Sequence, residues 1–253
     1  MRNQNTGAVL TAEIDTPSGL IPTEGDGAVP GTTALGVPVG LSFTGLATDA
    51  DRLLPTGSAT DRVAAAGSFY TATMITAGAP AALFDAADLG LTGAESTHLI
   101  DEQLPLLVAL RQEAALRMGL SQPGDPISHA IPKVGIVGSP LDYRTATGQA
   151  VSADEYDISV RMVSMLAAHP AIGLTSAVAV AAASTLPDGV VATVVRRTAS
   201  NTLRLGTSAG VLHVDLAYST DGALQSVTLR RAARRIAAAE LFVAAPALVT
   251  AAG

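Results

Sequence analysis

Apolar and polar residues alternate over many short stretches of the chain, and a few short runs are wholly apolar. Both patterns are typical of β-strands, and Gly- and Pro-rich turns separate them. They predict strands at Ala8–Ile14, Val37–Phe43, Phe69–Thr76, Ala81–Phe84, Lys133–Val137, Asp157–Met165, Val190–Arg196, Leu203–Leu205, Val211–Tyr218 and Leu224–Leu229. The segment Arg231–Ala239 fits either a helix or a strand followed by a loop.

Two segments have helical character. Apolar residues recur three and four positions apart over Pro105–Gly119, and Gly119 is placed to end that helix. The segment Ala177–Ser184 has no charged residue and is apolar on every face, so it predicts a helix in the middle of a domain, wrapped by sheet. Thr175 or Ser176 is predicted to cap it. The whole pattern predicts an α+β fold with strands curved about one apolar helix.

Composition narrows the class of protein. The chain has 253 residues, of which 48% are hydrophobic and 15% charged, so it can bury a sizeable core and is not expected to be disordered. A net charge of −7 argues against nucleic acid or an anionic membrane as partner. The most apolar stretch, 236–252, is interrupted by Glu240 and Pro246 and predicts no membrane span. The absence of cysteine excludes disulfides and Cys nucleophiles and is consistent with a cytoplasmic location.

Two segments could carry binding chemistry. In the first, His169 precedes Thr175 and Ser176, and the start of the apolar helix would offer free amides and a partial positive charge to a carboxylate. The alternative is ordinary capping of a core helix. In the second, Thr207 and Ser208 precede Gly210 in a turn that would let a ligand approach the backbone, the alternative being a plain turn between strands.

Weaker candidates stay open at this point. Lys133 is the sole lysine and would serve as a base if it were desolvated. Glu24 and Asp26 fit either acid–base chemistry or an acidic turn. The arginines of the C-terminal strand region fit an anion site or a solvated face (Arg230, Arg231, Arg234 and Arg235). The four histidines lack metal-ligand spacing, so no metal is expected.

Taken in order, a set of short motifs resembles the PrpF-like family of 2-methylaconitate cis–trans isomerases and 4-oxalomesaconate tautomerases, within the diaminopimelate-epimerase-like superfamily. The motifs are Arg2–Gly7, Glu24–Asp26, Val29–Thr32, Leu53–Gly57 with Asp61, Ala87–Ser96, Arg111, Met118–Leu120, Pro132–Lys133, His169–Pro170 with Thr175, Gly206–Gly210 and Arg231–Arg235. Each is weak alone, but their order and spacing cover nearly the whole chain.

The resemblance implies a diaminopimelate-epimerase-like fold: a curved, mainly antiparallel sheet around a central apolar helix. It implies one full domain at 67–253 and the C-terminal remnant of a first domain at 1–66, a remnant whose exposed strand edges would favour a homodimer. The function implied is an allylic proton shift in small unsaturated di- or tricarboxylates without a cofactor. Substrate would be bound by His169, Thr175, Ser176, Thr207, Ser208 and Gly210.

The sequence also departs from the family pattern. Family members carry a further N-terminal stretch with a lysine in a Ser-Lys segment and a Cys-Gly-Asn motif, which is thought to move the proton. This chain has no counterpart, Thr207-Ser208-Ala209 replaces the usual His-Pro-Ser, and Ser176 stands where Gly usually follows the Thr. The catalytic residues are therefore unknown. An inactive fragment or pseudoenzyme that only binds carboxylates is the alternative.

Overall fold

The computed structural model describes residues 1–2, 9–46, 53–240 and 242. Within them the strands are β1 (Val9–Glu13), β2 (Val37–Thr44), β3 (Asp61–Ala65), β4 (Ser68–Ala77), β5 (Ala79–Asp85), β6 (Lys133–Gly138), β7 (Tyr143–Arg144), β8 (Ala150–Val151), β9 (Ile158–Ser164), β10 (Ala167–Ala168), β11 (Thr202–Thr207), β12 (Gly210–Tyr218) and β13 (Leu224–Ala233). The helices are α1 (Thr97–Glu102), α2 (Leu104–Arg117), α3 (Leu174–Ala183) and α4 (Val190–Val194). The motif residues Asn3–Gly7 and the apolar segment beyond Phe242 lie outside the described residues.

Eleven strands form one sheet in the order β1-β2-β13-β12-β11-β9-β6-β5-β4-β3, with β10 paired to β9. Only the β5–β6 and β11–β9 pairs are parallel among the described residues, so the sheet is mainly antiparallel as predicted. β7 and β8 form a separate two-stranded sheet. The α+β prediction is confirmed.

Helix α3 is the centre of the larger core. Every residue from Ser176 to Ala183 is buried, and the side chains around them come from strands across the sheet, from Phe43 of β2 to Ile75 of β4. Alanine and valine let the sheet approach the helix from all sides, because their side chains are short. The prediction of a charge-free helix wrapped by a curved sheet is confirmed.

Helix α2 covers the opposite face of the β3–β6 part of the sheet. Its Leu107, Leu110 and Ala114 recur at helical spacing and pack with Phe84 and Ile136 of the sheet. The helix ends close to the predicted position, where Gly119 adopts a left-handed backbone with a φ of 68°. The central strands β5, β6 and β9 are therefore covered on both faces.

Two local predictions need correction, and one open alternative is settled. The sequence pattern predicts a strand at Val190–Arg196, but Val190–Val194 forms the short helix α4. The N-cap of α3 is Gly173, with neither Thr175 nor Ser176 in that role. For Arg231–Ala239 the alternative of a strand followed by a loop is confirmed, because strand β13 continues to Ala233 and 234–239 form neither helix nor strand.

The N-terminal strands join the sheet beside its last strand. β2 pairs with β13 from Val37–Ala233 to Thr44–Ser226, β1 continues the sheet beside β2, and Arg2 forms a bridge with Val9 on the other side of β1. β3 lies at the opposite edge and forms a hairpin with β4. The division of the chain at residue 66 stays a prediction.

Candidate functional site

The first turn of α3 has free hydrogen-bond donors. Gly173 is extended, with a φ of −67° and a ψ of 147°, and no side chain caps the helix. The first intrahelical bond runs from the Ala177 amide to the Gly173 carbonyl at 2.9 Å. Thr175 and Ser176 therefore lie inside the first turn, where the amides have no intrahelical acceptor. Their hydroxyls are not used for capping, which favours ligand binding over the capping alternative.

His169 and Ser176 meet beside Gly173. A Cβ placed on Gly173 would lie 3.4 Å from the Ser176 hydroxyl and 4.0 Å from Nε2 of His169. Ser176 as a whole is only 4% exposed. Lys133, at the start of β6, adds a positive charge that acts on His169. The structure thus brings the weaker candidate Lys133 to the same end of α3.

The tautomer of His169 follows from one hydrogen bond. The Ala171 amide donates to Nδ1 of His169 at 3.0 Å, so Nδ1 carries no proton. A neutral imidazole then carries its proton on Nε2, the atom beside Gly173 and Ser176. Burial lowers the pKa of His169 below its ordinary 6.5, and the Lys133 charge lowers it further. At neutral pH this side chain is a hydrogen-bond donor toward the first turn of α3.

The lowered pKa of His169 predicts a loss of stability in mild acid. Below pH 6.5 the unfolded chain takes up the proton before the folded chain does, so the free energy of unfolding falls until the folded pKa is passed. Burial, followed by the charges of Arg230 and Arg204, lowers the pKa of His213 in the same sense. We expect His169→Gln to weaken this acid loss and a double variant with His213→Gln to weaken it further. Urea titrations from pH 7.5 to 5 measure how the free energy of unfolding changes with pH. The same change with pH in the wild type and in both variants would contradict the role given to the two histidines.

The turn between β11 and β12 holds the second group of candidate residues. Thr207 is 1% exposed, and its hydroxyl donates to the Gly210 carbonyl at 2.8 Å and accepts from the Ala209 amide at 3.2 Å. Ser208 is 4% exposed, and its buried hydroxyl has no hydrogen-bond partner among the described residues. Thr207 therefore shapes the turn, whereas the Ser208 hydroxyl is free for a ligand or water.

Two other loops cover this turn. The Ala146 amide donates to the Ser208 carbonyl at 2.8 Å. From the N-terminal part of the chain, a Cβ on Gly31 would lie 2.9 Å from the Ala209 Cβ, and Pro30 packs on Gly210. The motif Val29–Thr32 thus lies against the turn in space although it is far away in sequence.

Both groups of candidates lie along one edge of β9. β6 occupies the first edge of β9, from Val134–Val163 to Gly138–Ser159. The second edge is bound by β11 near Ser159 and by β10 near Ser164. Gly206 pairs with Ser159, so the Gly206–Gly210 turn begins beside this residue of β9. Further along the same edge, the His169 amide donates to the Met162 carbonyl at 2.7 Å. This short stretch of strand separates the two polar segments, and their position along one edge of β9 defines the candidate site.

Between the two segments β9 carries a buried arginine that the sequence analysis did not single out. Arg161 is 2% exposed and its guanidinium lies 5.0 Å above the ring of Tyr143. Burial raises the pKa of Tyr143 to about 12, against the opposing charge of Arg161, so the phenol stays neutral. The signal in the sequence was a charged residue between the buried apolar positions Val160 and Met162 of a central strand.

The remaining candidates lie apart from this site. Arg230 pairs with Asp215 at 2.7 Å, which is a contact between strands β13 and β12. Arg234 and Arg235 line a cavity of about 330 Å³ with residues of the N-terminal segment. Glu24 and Asp26 are exposed. No three His, Asp or Glu side chains of the described residues are placed to hold a metal ion, and none of the described helices is long and apolar enough to cross a membrane.

The curved sheet around one apolar helix, with polar loops at the helix N-terminus, defines a diaminopimelate-epimerase-like protein. A family model described as PrpF protein matches residues 1–244, and the chain belongs to this family. A crystal structure of a methylitaconate-delta-isomerase superposes with a TM-score of 0.83 at 27% sequence identity, over 93% of this chain and 63% of that one.

Several curated relatives are named as isomerases. The chain is 28% identical to a 3-methylitaconate isomerase of Eubacterium barkeri, over 98% of this chain and 68% of the relative. It is 31% identical to a 2-methyl-aconitate isomerase of Shewanella oneidensis, over 83% of this chain and 55% of the relative. It is also 31% identical to a (4E)-oxalomesaconate Delta-isomerase of a Novosphingobium species, over 95% and 64%. The chain thus spans 55% to 68% of the length of these relatives.

Proposed function

We propose that this protein is an isomerase that shifts a proton within the allylic system of a small unsaturated di- or tricarboxylate. The observation that carries the proposal is the convergence of two donor-rich segments on one edge of β9. One is the uncapped first turn of α3 with His169 and Ser176, and the other is the turn that holds the unpartnered hydroxyl of Ser208. The kinship with isomerases of methylitaconate, methylaconitate and oxalomesaconate supports the substrate class.

The charges around α3 suit a carboxylate. The first-turn amides and the partial positive charge of the helix favour an anion, and Lys133 adds a full positive charge nearby. His169 offers its Nε2 proton, and Ser176 offers a hydroxyl. A second carboxylate of the same substrate would take the hydrogen bond that the Ser208 hydroxyl lacks. Two anion subsites along one strand fit a substrate with at least two carboxylates.

The proposed chemistry removes a proton from a carbon next to the conjugated system and returns a proton at the far end of that system. The residues of the candidate site would hold the carboxylates and stabilise the negative charge that develops when the carbon is deprotonated. His169 is assigned to binding, because its Nε2 already carries a proton at neutral pH. The base that takes the carbon-bound proton is not assigned.

The test is deuterium uptake at carbon. The purified chain is incubated in heavy water with 2-methylaconitate, 3-methylitaconate or 4-oxalomesaconate, and proton NMR follows the loss of the allylic signals. We expect exchange and isomerisation above the protein-free control for at least one of the three acids. Binding of these acids without any exchange would contradict the proposal and favour the alternative of an inactive carboxylate-binding protein.

Two serines of the same helix make a matched pair for this assay. Ser176→Ala removes the hydroxyl at the site end of α3, and Ser184→Ala removes one at the other end, where it donates to the Ala181 carbonyl at 2.7 Å. A hydrogen bond to a charged group contributes about 1.5–3 kcal/mol. We therefore expect Ser176→Ala to lower kcat/KM by roughly tenfold to a hundredfold, and Ser184→Ala to leave it unchanged. Ser208→Ala is expected to behave like Ser176→Ala.

Location and assembly are further parts of the proposal. A cytoplasmic site of action is supported by the absence of cysteine, since exported proteins often carry disulfides. A homodimer is supported by β3, which among the described residues pairs with β4 alone and ends the sheet on that side. Light scattering that gives a monomer mass at high concentration would contradict the dimer.

A further inference from the structure

We propose that Arg161 is a positioning residue of the substrate site, an inference that rests on the proposed function. Its side chain joins the Gly206–Gly210 turn to the Thr92–Glu95 loop. It also places a positive charge behind that turn with which no protein carboxylate among the described residues forms a direct ion pair. The expected consequence is a site that is held rigid and that favours dianionic substrates.

The contacts of Arg161 tie three pieces of backbone together. Nε donates to the Glu95 carbonyl at 2.6 Å, and Nη1 donates to the Gly206 carbonyl at 3.1 Å and to the Val160 carbonyl at 2.9 Å. Glu95 and Gly206 are 111 positions apart in the chain, and Arg161 bonds to both. A fixed fork of donors can make these bonds together, which a lysine ammonium on a flexible stem reproduces poorly.

The Thr92–Glu95 loop at the other end of this connection is itself rigid. The Glu95 carboxylate accepts from the Thr92 amide at 2.6 Å, the Thr92 hydroxyl at 2.7 Å and the Gly93 amide at 2.9 Å. A Cβ on Gly93 would lie 2.8 Å from the Gly138 nitrogen, so the loop is packed against the end of β6. Arg161 therefore anchors the turn to a loop that cannot easily move.

Arg161 forms no ion pair within the described part of the protein. Among these residues no carboxylate lies within 4 Å of its guanidinium, and the Glu95 carboxylate, whose charge acts on Arg161 without direct contact, is hydrogen-bonded by its own loop. The acceptors of Arg161 are all backbone carbonyls, and an aromatic ring covers its face. A buried cation without a direct ion-pair partner is costly. An anionic ligand in the adjacent turn would lower this cost, which gives the residue a role in binding beyond packing.

Hydrogen exchange tests the positioning without any assumption about activity. In Arg161→Met we expect amide exchange in the peptide spanning Gly206–Gly210 to be about tenfold faster, because the hydrogen bond that holds the Gly206 carbonyl is lost and only the bond from the Ala146 amide to the Ser208 carbonyl still holds the turn from outside its own strands. The matched control is Arg111→Met. Arg111 is 1% exposed and donates to the Met165 carbonyl at 2.6 Å, away from the turn. This control is expected to lower the Tm but to leave exchange in the turn unchanged.

Kinetics separate the roles of geometry and charge. Arg161→Met is expected to raise KM for a dicarboxylate roughly tenfold, with a smaller change in kcat, because the turn binds substrate in the ground state as well. Arg161→Lys keeps the charge and loses the fork, so its KM should lie between those of the wild type and the Met variant. Because Lys is also the milder change, it keeps the test usable if the Met variant does not fold.

The outcomes are distinct from those of the activity assay. An inactive wild type would contradict the proposed function, while the exchange measurement would still decide whether Arg161 holds the turn. Unchanged exchange at Gly206–Gly210 in both variants would overturn the positioning. Equal KM values for the Lys and Met variants would overturn the contribution of charge. Faster exchange in the turn with a graded rise in KM would support both parts.

Discussion

Replacing Gly78 by Ala is expected to lower the free energy of unfolding by about 3 kcal/mol. Gly78 lies in the turn between β4 and β5 with a φ of +70°, a conformation that costs an L-residue about 1–2 kcal/mol. A Cβ there would lie 2.8 Å from the Thr175 carbonyl oxygen and 2.9 Å from the Val178 Cβ. Both neighbours belong to α3, which is buried on all sides, so overpacking adds about 1–3 kcal/mol.

Gly67→Ala is the matched control for this prediction. Gly67 lies in the preceding turn, between β3 and β4, with a φ of +78°. A Cβ added there would meet nothing within 4 Å. It should therefore lose only the conformational part, about 1–2 kcal/mol. Urea unfolding at a constant m-value measures the difference. Equal losses in the two variants would contradict a close fit between the β4–β5 turn and α3.

The same contact links stability to the candidate site. The Thr175 carbonyl belongs to the first turn of α3. A side chain at position 78 would therefore displace the turn whose amides are proposed to bind a carboxylate. We infer that the turn between β4 and β5 fixes the position of the N-terminus of α3 relative to the sheet. Core packing and substrate geometry are thus determined by one set of contacts.

The sequence carried enough information for the larger elements. Ala177–Ser184 lacks any charge, and only a segment enclosed on every side can be stable with such a surface, so the central helix was predictable. Val190–Val194 was not. Three valines in five residues favour a strand by intrinsic preference. Here Gly189 starts a helical turn, the buried Thr73 hydroxyl accepts from the Val190 amide at 2.8 Å, and Val191 packs into the core.

The candidate site was predictable in its parts and not in its assembly. His169–Ser176 and Gly206–Gly210 were recognised from local chemistry, but only the order of strands shows that both flank β9. Arg161 was missed for a related reason. In a strand that is half exposed, a charged residue among apolar ones points to solvent, whereas β9 is covered on both faces and Arg161 is buried. Burial on both faces depends on contacts distant in sequence.

Gly206→Ala should be about as damaging as Gly78→Ala, for a purely steric reason. A Cβ on Gly206 would lie 2.5 Å from two ring carbons of Tyr156. That ring is fully buried and cannot swing away, because its hydroxyl donates to the Leu141 carbonyl at 2.5 Å and accepts from the Leu141 amide at 2.7 Å. We expect a loss of about 2–3 kcal/mol in the free energy of unfolding, measured by urea titration.

A second strand glycine separates this clash from any general effect of the substitution. A Cβ on Gly40 of β2 would lie at ordinary distances, 3.5 Å from the Thr228 Cγ2 and 3.9 Å from the Glu13 Cβ. Gly40→Ala should therefore be neutral or slightly stabilising. If the clash with the ring is the cause, Tyr156→Leu should cost less in the Gly206→Ala background than in the wild type. Additive losses would instead mean that the backbone of the turn yields and that Tyr156 does not fix the position of Gly206.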